Sequence, residues 1–264
     1  MRENKNRFGA PTCFYFHDFF RNYLVAHVPT TTILKSAKIM LPVPLSYPTT
    51  IFSVNRNSTS KLEKATAYTR YGKRAYDIIV ASLVTVLLLS WMIPLVGGLI
   101  MLTSKGPMLF MQQRTGRRGR AFSCFKFRTM YHAPKAGFAQ CLKNDVRVTR
   151  IGAFLRRTNL DEMPQFLNVL IGEMSVVGPR PHAIEHDSRY WNIIPNYQAR
   201  YQVTPGITGL AQVRGARGET DKLAKMKHRM QYDLLYVKRQ SFWLDVKLCM
   251  ATVQTMVKGN VNAW

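Results

Sequence analysis

The chain has 264 residues, 47% of them hydrophobic, and carries 38 lysines and arginines against 14 acids, a formal net charge of +24. That length accommodates one sizeable core, and so large an excess of cations points to polyanionic partners: nucleic acid, an anionic membrane surface or phosphorylated substrates. Cys13, Cys124, Cys141 and Cys249 are far apart with no C-x-x-C spacing, which argues against a disulfide framework or a zinc ribbon and makes a reducing compartment the default.

Residues 1–66 read as an N-terminal extension that is membrane-apposed or disordered. Aromatics cluster at Phe14-Tyr15-Phe16 and Phe19-Phe20 without a sustained period, and Pro42, Pro44 and Pro48 break the next apolar run. No charged n-region leads into a secretory h-region, so secretion is not expected. Residues 67–104 are different. From Ile78 to Ser104 no charged residue occurs, a run long enough to cross the ~30 Å hydrocarbon core of a bilayer. Arg70, Lys73 and Arg74 precede it, while Lys105, Arg114, Arg117, Arg118 and Arg120 follow, so both flanks claim the cytoplasmic side. Pro94 deprives the carbonyl of Ser90 of its helical partner. These features favour a re-entrant helix hairpin bending near Ser90 and Pro94, with a straight span as the alternative.

Residues 105–264 carry the polar chemistry. Met108–Gln113 and Ala121–Thr129 read as a β-hairpin around a Gly/Arg-rich turn, with Lys126 and Arg128 on one face of its second strand. Next comes Leu155-Arg156-Arg157-Thr158-Asn159-Leu160-Asp161-Glu162-Met163-Pro164-Gln165. Thr158 or Asn159 is placed to cap a helix with both acids in its first turn, where they would complement its dipole by ~0.3–1 kcal/mol each. Two adjacent carboxylates among arginines, in a chain so poor in acids, also suit a divalent metal and a phosphate ester. Gly178-Pro179-Arg180-Pro181 holds a guanidinium on a rigid backbone, apt for bidentate phosphate contact. His182-Ala183-Ile184-Glu185-His186 matches an inverted zinc-peptidase pattern, but no third ligand is evident and zinc is not expected. Thr204–Val213 reads as a turn and short strand, and glycines around Arg217 permit a loop whose backbone N–H groups face an anion. Neither a Walker A sequence nor G-x-G-x-x-G occurs. Asp221–Val257 is helical in pattern, with apolar faces that suit an interface or a core.

Six segments in this order resemble the bacterial sugar transferase family, the monotopic polyprenyl-phosphate phosphoglycosyl transferases. They are Lys73-Arg74-x-x-Asp77, Gln113-Arg114-x-Gly116, Lys126-Phe127-Arg128-Thr129-Met130, Leu160-Asp161-Glu162-x-Pro164-Gln165, Gly178-Pro179-Arg180-Pro181 and Pro205-Gly206-Ile207-Thr208-Gly209. Arg217-Gly218-Glu219-Thr220 is similar to the branch that begins exopolysaccharides with glucose 1-phosphate. The resemblance implies a mainly helical α+β fold: a monotopic membrane protein with a re-entrant hairpin and a small cytosolic catalytic domain, seated on the cytoplasmic face of a bacterial inner membrane. It implies transfer of hexose 1-phosphate, with glucose ahead of galactose or N-acetylhexosamine, from a UDP-sugar to undecaprenyl phosphate, with UMP leaving. Asp161 would be the nucleophile that becomes an aspartyl phosphosugar. Glu162 would help hold Mg²⁺ with Asp161 or orient it, and Lys126, Arg156, Arg180 and Arg217 would contact phosphates. Partners implied are the UDP-sugar, undecaprenyl phosphate, membrane lipid and a second copy of the chain, with no nucleic acid. Pro94 lies about one turn later than the family's usual Ser-Pro break, and Arg214 stands where an uncharged polar residue is common. The several membrane helices and further domain of long family members are not expected here. Two other classes compete: a membrane-anchored scaffold without activity, and a basic nucleic-acid-binding protein, which lacks a recognition motif and a use for the uncharged run.

Overall fold

The computed structural model describes residues 66–132, 141, 145–216, 218 and 222–258. The extension ahead of residue 66, and Arg217 in the glycine loop, lie outside the described residues. Among the described residues secondary structure is mainly helical, with two small two-stranded sheets.

Helix α1, Tyr68–Thr103, is 36 residues of continuous helix and is long and apolar enough to cross a membrane. Three features that bend helices fall close together in its middle. The backbone widens to π geometry over Thr85–Leu89, Ser90 Oγ donates back to the Val86 carbonyl at 2.7 Å, and Pro94 lies within the helix. Ile79, Leu83, Val86, Leu87, Trp91, Leu95, Leu99 and Leu102 stand exposed along it. Both ends nevertheless fasten to the same polar body. Near the start, Lys73 pairs with Asp77 at 3.2 Å and Asp245 at 2.7 Å, and Arg74 donates to the Val169 and Leu170 carbonyls at 2.6 and 3.0 Å. Asp77 accepts from Ser175 Oγ and the Val176 amide, each at 3.0 Å. In the second half Leu89, Met92 and Ile100 are buried against Phe127, Leu155 and Met163, each fully buried chain of this size contributing ~1.5–3 kcal/mol.

The hairpin is as expected: β1 (Leu109–Thr115) pairs antiparallel with β2 (Ala121–Phe127), Phe110 opposite Lys126. Helix α2 (Arg150–Arg157) is capped by Thr149, whose Oγ1 accepts from the Gly152 amide at 2.9 Å. Gly152 lies against the Thr129 backbone so closely that a Cβ would collide with it.

The acidic pair departs from expectation. Asp161 and Glu162 lie in a separate 3₁₀ turn, Leu160–Glu162, while α3 (Gln165–Ile171) starts only behind Pro164. Asn159 is left-handed (φ 55°) and makes no capping bond. The physical reason is Pro164. It has no N–H to return to the Leu160 carbonyl, so the chain closes the tighter bonds Glu162 N→Asn159 O and Met163 N→Leu160 O, each 3.2 Å. The acids therefore do not serve as helix caps.

Strand β3 (Ser175–Val177) runs parallel to β4 (Gly206–Thr208). Gly178 and Gly206 face each other where any Cβ would strike backbone, which lets Gly178 N reach Thr208 O at 2.8 Å and Gly206 N reach Pro179 O at 2.9 Å. Helix α4 (Ile184–Tyr190) follows β3, and Leu210–Val213, expected as strand, forms the short helix α5 after β4. The helical stretch expected over Asp221–Val257 is two helices, α6 (Leu223–Arg239) and α7 (Phe242–Lys258), broken at Gln240 and Ser241. Tyr236 and Leu248 from them join Ala81, Phe122, Val169, Val176 and Val177 in the core.

Candidate active site

Three elements converge on the acidic turn. Lys126 comes from the end of β2, Arg156 from the last turn of α2, the two acids from the 3₁₀ turn, and Arg180 from the loop after β3. Each is placed by local bonds. Asn168, fully buried on α3, accepts from the Phe125 amide at 3.0 Å and donates to the Ser123 carbonyl at 2.7 Å, fixing the strand that presents Lys126. Arg156 Nε donates to Thr129 Oγ1 at 2.9 Å. The Arg180 loop is pinned from two sides. Arg114 donates to the Pro181 carbonyl at 2.7 Å, and Arg200 donates to the carbonyl of Arg180 itself at 2.6 Å.

The two neighbouring acids have opposite surroundings. Glu162 is clamped: Lys126 Nζ sits 2.7 Å from Oε1, and Arg180 grips both oxygens, Nη1 to Oε2 at 2.9 Å and Nη2 to Oε1. Burial alone would raise its pKa, but the Arg180 and Lys126 cations override that and hold it well below the usual carboxylate range. Asp161 is buried, with 9% of its surface exposed, and its carboxylate makes no hydrogen bond among the described residues. Burial pushes its pKa up to about 6; the Glu162 charge adds to the rise, while Lys126, Arg156 and Arg180 oppose it. A carboxylate that is desolvated, surrounded by cations and unbonded is poised to attack an electrophile that brings further negative charge.

The family model for the bacterial sugar transferases matches residues 68–259. The chain belongs to that family. Among curated relatives, the UDP-glucose:undecaprenyl-phosphate glucose-1-phosphate transferase of Klebsiella pneumoniae is 50% identical over 191 residues, 72% of this chain and 40% of the relative. The enzyme of that name in Caulobacter vibrioides is 46% identical over 70% of this chain and 69% of its own length. The exopolysaccharide production protein PSS of Rhizobium leguminosarum bv. phaseoli is 48% identical over 69% of this chain and 92% of its own. The chain thus spans about two fifths of the Klebsiella relative and nearly all of the Rhizobium one.

Within this family member, the structure brings together Lys126, Arg156, Asp161, Glu162 and Arg180. Magnesium takes one or two carboxylates and completes its shell with water and substrate phosphate oxygens. Asp161 fits that role, having hard oxygens with no donor on them. Glu162 as arranged offers no unclaimed oxygen. The H-x-x-E-H pattern is not a metal site. His182, His186 and Asp187 do cluster within 4.8 Å, but Arg200 Nη1 lies 2.6 Å from His182 Nδ1 and occupies the place a cation would take. Burial, then the Arg200 charge, hold the His182 pKa well below its ordinary value.

Sequence reasoning missed Asn168, Thr129 and Arg200 as positioning residues. Asn168 had a visible signal, a lone amide in the apolar run Phe166–Ile171. Arg200 had none, since its partners Asp187 and Asp233 are distant in sequence.

Proposed function

We propose that the chain transfers glucose 1-phosphate from UDP-glucose to undecaprenyl phosphate, releasing UMP, as the first membrane step of exopolysaccharide synthesis. The observation that carries this is Asp161: a buried carboxylate with a raised pKa and no hydrogen bond among the described residues, set among Lys126, Arg156 and Arg180. The names of the Klebsiella and Caulobacter relatives supply the sugar and the acceptor.

In the mechanism we assign, ionised Asp161 attacks the β-phosphorus of the UDP-sugar and UMP departs. The resulting aspartyl phosphosugar is then displaced by an oxygen of the lipid phosphate, which regenerates the carboxylate. Two displacements replace one between two anions. Lys126, Arg156 and Arg180 neutralise the phosphoryl oxygens as charge shifts to the leaving group, and the family resemblance assigns Arg217 a phosphate contact as well. Glu162 acts by holding Lys126 and Arg180 in register, so that both cations face the same point before substrate arrives. Mg²⁺, bound through Asp161, would supply further neutralisation of the diphosphate.

Residues 67–104 form the membrane segment and 105–264 the catalytic portion at the cytoplasmic face. Both ends of α1 fasten to the same polar body, through Arg74 and Asp77 at one end and Ile100 at the other. A helix so tied enters one leaflet and returns, and the bend lies near Ser90 and Pro94. Cysteines placed near residues 70 and 106 should both react with a membrane-impermeant label from the cytosolic side only; opposite sides would mean a true span.

The catalytic proposal is tested by UMP release from membranes holding the full chain, with undecaprenyl phosphate and UDP-glucose, UDP-galactose or UDP-N-acetylglucosamine. UDP-glucose should turn over fastest. Release from none of them would leave a non-enzymatic scaffold as the better description.

A further inference from the structure

Arg229, among the buried residues of α6, is a cation that the transfer chemistry does not use. It is 8% exposed, and its hydrogen bonds among the described residues both go to backbone. Nε donates to the Ala216 carbonyl at 3.0 Å and Nη2 to the Gly218 carbonyl at 2.9 Å. Those two carbonyls flank position 217 in the chain. One edge of a planar guanidinium thus grips the glycine loop on both sides of that residue, which the single ammonium of a lysine could not do. Burial, then the Arg200 and Arg180 charges, lower the Arg229 pKa to about 10, and Asp233 opposes the fall, so the group is cationic at neutral pH. Burying a cation is costly, and here the bonds it makes go to a loop rather than to an acid.

The loop has few other restraints. Gly215 and Gly218 take left-handed backbones, φ +77° and +82°, and the Ala216 amide donates back to the Ala211 carbonyl at 2.9 Å. With the Ala216 and Gly218 carbonyls held by Arg229, the backbone is fixed on either side of position 217. A matching device holds the Arg180 loop. Arg200 Nη2 donates to the Arg180 carbonyl at 2.6 Å and lies 2.8 Å from Asp233 Oδ2. Asp233 stands one turn after Arg229 on α6, and its charge acts on both arginines. One acid on one helix therefore underlies two cations, each of which grips the backbone of a loop that carries an arginine of the site.

We propose that Arg229 is a positioning residue for the transfer: it holds the glycine loop in register with the Arg180 loop, so that Arg217 and Arg180 meet the diphosphate of the UDP-sugar together. Arg229 touches no substrate itself. The proposal rests on the phosphoglycosyl-transfer reading of the site and on the phosphate contact that the family resemblance gives Arg217. Loosening the loop weakens the grip on the nucleotide sugar and leaves Asp161 and its cations in place, so the loss falls on KM rather than on kcat.

The test joins two measurements on the full chain in nanodiscs, Arg229→Lys against the unaltered protein. Amide hydrogen exchange, read without substrate, should rise about tenfold in peptides covering residues 214–221 and stay within about twofold over the β1–β2 hairpin. With UDP-glucose and undecaprenyl phosphate, kcat/KM should fall about tenfold, carried by KM. The same substitution made in Arg217→Ala should cost less than about twofold, because residues that act through one another are not additive. Arg229→Gln, which can bond one carbonyl but carries no charge, should behave alike and serves if the lysine variant does not fold. Exchange unchanged over 214–221 would overturn the proposal. So would an equal kinetic loss in both Arg217 backgrounds, which would mean that Arg229 acts elsewhere, or global unfolding of both variants, which would make it a folding residue only. Unaltered protein that turns over no UDP-sugar would refute the reaction and with it a role in transfer, while the exchange result by itself decides whether Arg229 holds the loop.

Discussion

Arg180 belongs to two clusters of buried charge. Its guanidinium grips Glu162 beside Asp161, while its carbonyl accepts from Arg200 in the second cluster. In that second cluster every acid is held. Asp187 accepts from Tyr197 at 2.6 Å and Tyr201 at 2.5 Å, and Asp233 is held by charge alone, its Oδ2 lying 2.8 Å from Arg200 Nη2 in an ion pair without an aligned hydrogen bond. In the first cluster one acid is clamped and its neighbour has neither a hydrogen bond nor an ion pair among the described residues. The contrast separates structure from chemistry: a buried acid gripped by a partner rigidifies, whereas one with no direct partner keeps its lone pairs for a reaction.

Four substitutions or conditions break or sharpen that contrast. The largest effect is expected from Asp161→Asn, which should lower UMP release by at least ~10³-fold. The same variant should unfold less readily. Asp161 titrates at about 6 in the folded chain, above the unfolded carboxylate, so its contribution is present at low pH and lost as pH rises through that value. Removing the charge should gain up to ~3 kcal/mol near neutral pH, measurable by denaturant unfolding in detergent. Glu162→Gln comes next. It frees Lys126 and Arg180 without removing the nucleophile, and kcat should fall ~10²-fold because the cations lose their register.

Arg200→Met tests the other cluster. Leaving Asp187 and Asp233 buried without their guanidinium should cost about 3–5 kcal/mol of stability. Its effect on kcat should be only about tenfold, exerted through the Arg180 carbonyl. A loss of turnover as deep as that of Asp161→Asn, with stability intact, would mean the second cluster is chemical after all. The smallest effect is the pH profile. Activity should fall about tenfold per unit below pH 6 as Asp161 takes up its proton, and Glu162→Gln should move that limb because it removes one of the charges raising the Asp161 pKa.

What could be seen in the sequence was whatever depends on neighbours in the chain. The uncharged helix, the hairpin, the acidic pair and the rigid Arg180 loop all announce themselves locally, and in the structure Lys126, Arg156 and Arg180 lie close to the acids. What was hidden depends on long-range pairing. Adjacent acids look equivalent in sequence, yet the 3₁₀ turn sends Glu162 into two cations and leaves Asp161 buried without a hydrogen bond among the described residues. The helix cap expected from Thr158 or Asn159 fails for a reason that was present in the sequence, the missing N–H of Pro164. Conversely, Lys73-Arg74-x-x-Asp77 was visible as a motif but its work, docking the apolar helix onto α3, β3 and α7, needs partners far along the chain.

The most direct measurement is rapid-quench mass spectrometry of the full chain mixed with UDP-glucose in the absence of lipid acceptor. A hexose phosphate should appear on the peptide containing Asp161, in step with one equivalent of UMP, and vanish when undecaprenyl phosphate is added. UMP release that strictly requires the acceptor, with Asp161 never modified, would contradict covalent transfer through this carboxylate.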